Sequence, residues 1–288
     1  GVLTATVTSG AASVLKALTT TSTDAITMTV NAEAASAATQ AADLVSLNGN
    51  TNQAIIMTAV SSVSGNYADL LDIYVTNKTQ YTGIGDETVT ITGSVSATQA
   101  DTIADATSGS VSATINSDTA ANLNAALNDS GSQVNAYTLT VSDSGTTLAS
   151  DLTSLDSKTS VTVNATAVTS IGGTANEIAI AVAATGINTS STYNVSVTGG
   201  TVATVADLIT INNDTSGTIT LNAATNSANY SDTTANILAA FNGITSLTGT
   251  MGLSDSTTVA NINTVAGMTS GVLTATVTSG AASVLKAL

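Results

Sequence analysis

Proline, cysteine, histidine, tryptophan and arginine do not occur anywhere in this chain, and its only phenylalanine is Phe241. Each absence excludes something. Average usage would place a proline at roughly one position in twenty. A chain without any keeps a backbone N–H at every residue, as a hydrogen-bonded ladder requires. Without cysteine there is no disulfide framework and no thiolate metal site. Without histidine the usual general base and the usual zinc ligand are missing. Four lysines face 19 acids, a formal charge of −15. That balance argues against nucleic acid, whose phosphates need basic partners, and against anionic lipid. No apolar run approaches the length of a membrane span.

What is present is a duplication. Gly1–Leu18 reads GVLTATVTSGAASVLKAL, and Gly271–Leu288 repeats it letter for letter at an offset of 270. A window slightly longer than a tandem repeat shows its start twice. The chain therefore reads as one period of about 270 residues from a longer array, with 271–288 repeating 1–18. Over 288 residues, 43% of them hydrophobic, there is enough apolar material for a core.

A shorter rhythm runs inside the period. Alternating apolar and hydroxyl residues occur at Val2–Thr8, Ala25–Val30, Ala54–Val60, Thr88–Gly93, Ser110–Ile115, Ala136–Val141, Ser160–Ala165, Thr192–Val197, Gly217–Asn222 and Ser246–Gly252, and Val272–Val277 restarts the series. This is the period-two pattern of half-buried strands, about ten to a period. Between them lie stretches with apolar residues three and four apart: Ala11–Leu18, Asp118–Leu127, Thr147–Leu155, Val202–Ile211, Asp232–Phe241 and Thr257–Val265. The pairs Ser117-Asp118, Ser231-Asp232, Asp143-Ser144 and Asp255-Ser256 precede such stretches and are expected to cap them.

Strand–helix units this short bury their apolar faces only by stacking. The expected fold class is an α/β solenoid: stacked coils, residues 1–288 forming one continuous segment, with one long parallel sheet on one side and helices on the other. Tandem β-sandwich domains of about 90 residues are the alternative. They fit less well, because alanine-rich helical spacing separates the strands.

The alternation assigns the faces. Leu3, Ala5, Val7, Ile26, Met28, Val111, Ala113, Ile115, Leu139, Val141, Val161, Val163, Val195, Val197, Ile219 and Leu221 are expected inward. Thr4, Thr6, Thr27, Thr29, Ser112, Thr114, Thr138, Thr140, Thr162, Ser196, Thr218, Thr220, Thr248 and Thr250 are expected outward, in ranks. Leu70–Gly85, with Tyr74 and Tyr81, and Ala165–Thr189, with the run Ile178–Val182, fit the rhythm poorly and read as enlarged loops.

The segments GVLTATVTSGAASVLKAL, ATQADTIADATSGSVSATI, AYTLTVSDSG and TVANINTVAGMTSGVLTATV resemble the tandem segments of very large cell-surface proteins of marine bacteria, cyanobacteria in particular. That resemblance covers most of the chain. It implies an extracellular place and a structural role, and it carries no catalytic residues.

The chemistry agrees. No activating base stands beside the serines and threonines, and a Ser–Lys pair could use Lys16, Lys78 or Lys158, though nothing else in the sequence points that way. Asp86 and Glu87 sit in a polar stretch where solvated charge is the default. No catalytic, cofactor-binding or metal-binding residue is assigned, and no enzyme is expected. No cofactor is called for, calcium held weakly or structurally excepted, since the calcium nonapeptide and the EF-hand loop are both missing. Expected partners are further repeats or copies of the same chain, divalent cations and surface polysaccharide. The expected function is a structural repeat of a giant extracellular filament or cell-surface fibre. The alternative is the spacer or stalk of a large adhesin, with its binding domains outside this window.

Overall fold

Short strands alternate with short helices throughout the computed structural model, which describes residues 1–34, 37–128, 134–280 and 282–288. Every pair of named strands with a described register is parallel. Partners lie one coil apart along the chain, from the short step between Gly10 and Val30 to the long one between Ile55 and Tyr81. Each strand is thus joined to its neighbour by a connection long enough to hold one short helix, as parallel pairing demands. The chain divides into two compact units. One comprises Gly1–Thr140 with Leu155–Val163, the other Val141–Ser154 with Asn164–Leu288.

In the first unit, five strands pair in the order Ala136–Thr138, Val111–Ile115, Thr88–Val95, Ser62–Gly65 and Thr39–Gln40. Thr4–Thr6 lies against Ala25–Thr27, Gly10–Ala11 against Val30–Asn31, and Ile55–Ile56 against Tyr81–Thr82. In the second unit, Thr146–Leu148, Ser170–Gly173, Asn194–Val197 and Ile219–Thr220 form one sheet. Tyr230–Asp232, Met251–Thr257 and Leu273–Val277 form another.

The expected single long sheet is not what forms. Pairing is parallel in every described register but, among the described residues, is divided into sheets of two to five strands. Two causes are visible. Many strands span only two or three residues before the backbone turns away, so one coil contributes two short rungs, as Thr4–Thr6 and Gly10–Ala11 do. Elsewhere the register jumps. Ser112 pairs with Thr90 but Thr114 with Ser94, and Gly252 pairs with Thr274 but Ser256 with Thr276. The extra residues bulge, which bends a strand and locally disrupts the ladder. At the first bulge Gly93 takes φ 80°, a conformation costly for other residues.

The helices are four to ten residues long, too short to persist alone in water. In most of them a side chain caps the first turn, in two places one position later than expected. Thr119 and Thr233, not Asp118 and Asp232, accept from the third helical N–H of Ala120–Ala126 and Thr234–Phe241. The two aspartates stand just outside and accept from the cap's own N–H at 2.7 Å. Thr204 and Thr258 cap in the same way, and Ser96 and Thr174 form full capping boxes with Gln99 and Glu177. Asp255 lies in the strand Met251–Thr257, and Thr258 rather than Asp255 caps the helix after it; Asp143 precedes the strand Thr146–Leu148.

Burial follows the alternation. Most of the inward residues are buried, among them Ile26, Met28, Val111, Leu139, Val163 and Val195. None of the outward hydroxyl residues is buried. Leu3 is the exposed exception on the inner face, at 51% exposure. Leu148 belongs to a strand, not to the helix after it, and is exposed. Leu70–Gly85 is not a projecting loop. It holds the end of helix Tyr67–Leu71, the π-helical turn Asp72–Thr76, a 3-10 turn and the strand Tyr81–Thr82, and it buries Tyr74 and Tyr81. Ile178 is buried in helix Ala175–Ala183.

Removing core volume tests this arrangement. Ile171, fully buried, is expected to cost about 2–5 kcal/mol on substitution by alanine. Val202, half exposed, is expected to cost no more than about 0.5 kcal/mol on the same change. Urea unfolding followed by circular dichroism gives the comparison, and equal midpoints for the two variants would contradict the assigned core.

Candidate functional site

The chemistry of this chain is concentrated in how one coil grips the next. Five threonines recur at nearly even spacing: Thr51, Thr107, Thr159, Thr215 and Thr269. Each hydroxyl donates to a backbone carbonyl of an earlier coil: Ile26 (2.7 Å), Glu87 (3.0 Å), Tyr137 (2.8 Å), Tyr193 (2.5 Å) and Gly249 (2.7 Å). Each also accepts from the N–H two positions on: Gln53, Gly109, Val161, Gly217 and Gly271, at 2.9–3.1 Å. Thr51 and Thr159 accept a second N–H, from Ile26 and Tyr137. Four of the five are buried and Thr269 is half-buried. A hydroxyl can donate once and accept twice, so the group bridges two coils at a point where the backbone turns.

The residue after each threonine adds a second link. The N–H groups of Ser108, Ser160, Ser216 and Ser270 donate to Gly85, Asn135, Ser191 and Leu247 at 2.7–2.9 Å. Asn52 does the same to Asp24. In three of the five places the third residue is glycine, for a steric reason. A Cβ on Gly109, Gly217 or Gly271 would lie 2.0–2.2 Å from the carbonyl oxygen of Glu87, Tyr193 or Gly249. The Thr-Ser-Gly triplets at Thr107, Thr215 and Thr269 were available as a sequence signal. Reading threonine only as an outward strand residue passes over it.

The outward face is hydroxyl-rich but not uniform. Across the strands Ser64, Thr90 and Ser112 align, as do Thr146, Ser170 and Asn194, and Gly172, Ser196 and Thr220. Thr146 Oγ1 donates to Ser170 Oγ at 3.3 Å. Thr6 aligns with Thr27, while elsewhere serine, asparagine and glycine stand among the threonines.

The acids and lysines act as positioning groups. Glu87 is buried, not solvated. Its Oε2 accepts from Gly85 N at 2.8 Å and from the Tyr74 hydroxyl at 3.3 Å. Burial and that carboxylate push the Tyr74 phenol well above its ordinary range. Asp24 accepts from the N–H groups of Leu3 and Thr21, which hold it below the usual carboxylate range. Asp255, carried on the bulge, accepts from both Thr234 Oγ1 and Thr234 N at 2.7 Å and is held low by them. It thus supports the start of a helix in the neighbouring coil. Lys16 Nζ meets Asp43 at 2.7 Å, Lys78 donates to the carbonyl of Ala106, and Lys158 to that of Leu127. Among the described residues these three amines have carboxylate or backbone partners.

The hollow lined by Asn212, Thr215–Ile219 and Asn242–Ile244, about 550 Å³, is open and carries no ionisable side chain. Among the described residues no cluster of three acids is placed to hold a metal, and no helix is long and apolar enough to cross a membrane. No family model, curated protein or solved structure matches the chain.

Two measurements probe these links. Thr215→Val leaves the Tyr193 carbonyl and the Gly217 N–H unsatisfied and is expected to cost about 1–3 kcal/mol. The exposed Thr218→Val is expected to cost about 0.5 kcal/mol or less. Thermal unfolding that ranks the two equally would refute the bridging role. Asp255 has its pKa lowered in the folded state, so its contribution is present above the ordinary carboxylate pKa near ~4 and is lost as pH falls through the folded value. The Thr234 amide is therefore expected to lose hydrogen-exchange protection in acid, and Asp255→Asn to remove that dependence.

Proposed function

We propose that the chain is a structural repeat of a giant extracellular filament or cell-surface fibre, built as an α/β solenoid, and that it is not an enzyme. The observation that carries the reading is the identity of Gly1–Leu18 and Gly271–Leu288 at an offset of 270. Parallel pairing between strands one coil apart supports it, because such a ladder grows by adding coils and needs no new topology. The small separate sheets are then local runs of one ladder, interrupted where strands bend.

In this reading the function is mechanical. Buried aliphatic residues, the ladder and the threonine bridges resist separation of neighbouring coils. Hydroxyls on the outer face and a net charge of −15 keep neighbouring fibres hydrated and mutually repelled. Divalent cations and surface polysaccharide are the partners such a surface favours, beside copies of the chain itself. The resemblance to large marine bacterial surface proteins supports an extracellular placement.

Electron microscopy of chains holding one, two and four repeats tests the proposal. Rods of constant width are expected, lengthening by roughly 48 Å per repeat if ten coils advance about 4.8 Å each. Separate globules on slack tethers would overturn it.

A further inference from the structure

The duplicated segment is seen twice in one molecule, each time against a different neighbour. As Gly271–Leu288 it follows the strand Met251–Thr257. Val272 O accepts from Met251 N at 2.9 Å, Thr278 N donates to Thr257 O at 2.8 Å, and Asn263 Nδ2 donates to Ala287 O at 2.9 Å. As Gly1–Leu18 it precedes the strand Ala25–Thr27. Leu3 O accepts from Ala25 N at 2.7 Å, Val7 N donates to Thr27 O at 3.1 Å, and Gly10 N donates to Thr29 O at 3.2 Å. Asn50 Nδ2 donates to Leu18 O at 3.1 Å.

None of these hydrogen-bonding groups is claimed by both neighbours. The Thr278 amide faces the preceding coil, and the Val7 and Gly10 amides face the following one. The registers also agree. Thr274, the counterpart of Thr4, pairs with Gly252, and Thr4 pairs with Ala25. Thr276, the counterpart of Thr6, pairs with Ser256, and Thr6 pairs with Thr27.

Burial is complementary in the same way. Leu3 is 51% exposed, whereas its counterpart Leu273 is half-buried against the preceding coil. Ala12 and Leu15 are buried in the first copy, where their helix packs on Ala41–Asn48, whereas Ala282 is exposed and Leu285 half-buried in the second. Two further contacts are made in the first copy. Lys16 meets Asp43 at 2.7 Å and Ser13 Oγ donates to Glu33 at 2.7 Å.

We propose that successive repeats join through this one shared coil with no linker. Gly271–Leu288 sits between Met251–Thr257 of its own repeat and Ala25–Thr27 of the next. Its strand registers Ser256, Thr276 and Thr27 of the following repeat across three rungs, and Lys286 pairs with Asp43 of the following repeat. The partner that fits the outer edge of the segment is thus a second copy of this chain, covalently continued. The inference rests on the tandem-repeat reading and specifies the contact that reading leaves open.

The test is a two-repeat chain, residues 1–288 followed directly by 19–288. Native cysteine is absent, so paired cysteines report cleanly. Thr276→Cys with Thr27→Cys in the second repeat places the two on adjacent parallel strands, about 4.8 Å apart, within disulfide reach. Thr274→Cys with the same second-repeat cysteine is shifted by two positions and out of reach. Mild oxidation is expected to cross-link the matched pair at least about tenfold more than the shifted pair. Equal yields would overturn the proposed register.

The unsubstituted two-repeat chain gives a second measurement. The amides of Val277 and Gly280 are expected to exchange at least about tenfold more slowly than in the single-repeat chain. Unchanged exchange would overturn the junction even if the cysteine variants failed to fold. Register-specific cross-linking in chains that form no rods keeps the junction and removes the filament. Rods without such cross-linking remove the junction and keep the filament.

Discussion

Parallel backbone pairing between strands one coil apart is the constraint on which everything else in this protein depends. The helices run only four to ten residues and would not hold together alone. Most strands are shorter still, many of two or three residues. Neither element has a stable existence until the next coil lies against it. Pairing fixes the spacing of the coils. That spacing packs the helices Val205–Asp214 and Thr234–Phe241 together with Leu208, Ile237 and Phe241 buried, and it brings each threonine hydroxyl to a carbonyl of the coil before.

The threonine bridges answer a problem the short strands create. Where a strand ends after two or three residues, the backbone turns and its polar groups lose their ladder partners, yet they remain buried. An unsatisfied buried carbonyl or N–H costs about 1–3 kcal/mol. A buried hydroxyl that donates to one coil and accepts from another meets that need within three residues, and glycine at the third position lets the backbone approach a neighbouring carbonyl. Caps do the same for the helices. Ser96, Thr119, Thr174, Thr204, Thr233 and Thr258 each take one orphan N–H. Abundant threonine and serine thus have three separate tasks: surface wetting, helix capping and coil bridging.

The three tasks were unequally legible. Outward hydroxyls follow from alternation alone, because side chains on a strand point to opposite faces. Capping was legible as to kind and misplaced by one position, since Asp118 and Asp232 look like caps but stand just outside Thr119 and Thr233. Bridging went unread. Whether a hydroxyl at Thr107 or Thr215 faces water or a carbonyl depends on a neighbour in the previous coil, distant along the chain. Glu87 was misread for the same reason. Beside Asp86 it looks like solvated charge, and only the fold places Tyr74 and the Gly85 N–H against it.

The sequence by itself determined the alternation of strands and helices, the parallel sense of their pairing, the faces of the strands and the recurrence of one segment at an offset of 270. These are consequences of local periodicity and of repetition, which need no knowledge of distant neighbours. The tertiary structure decided how pairing divides into small sheets, where the register jumps, which threonines are buried, and that Leu70–Gly85 folds inward around Tyr74 and Tyr81. Those features depend on which groups meet across coils, and two identical segments, Gly1–Leu18 and Gly271–Leu288, show the point most directly. The same stretch of sequence buries different side chains in its two places because different strands lie beside it.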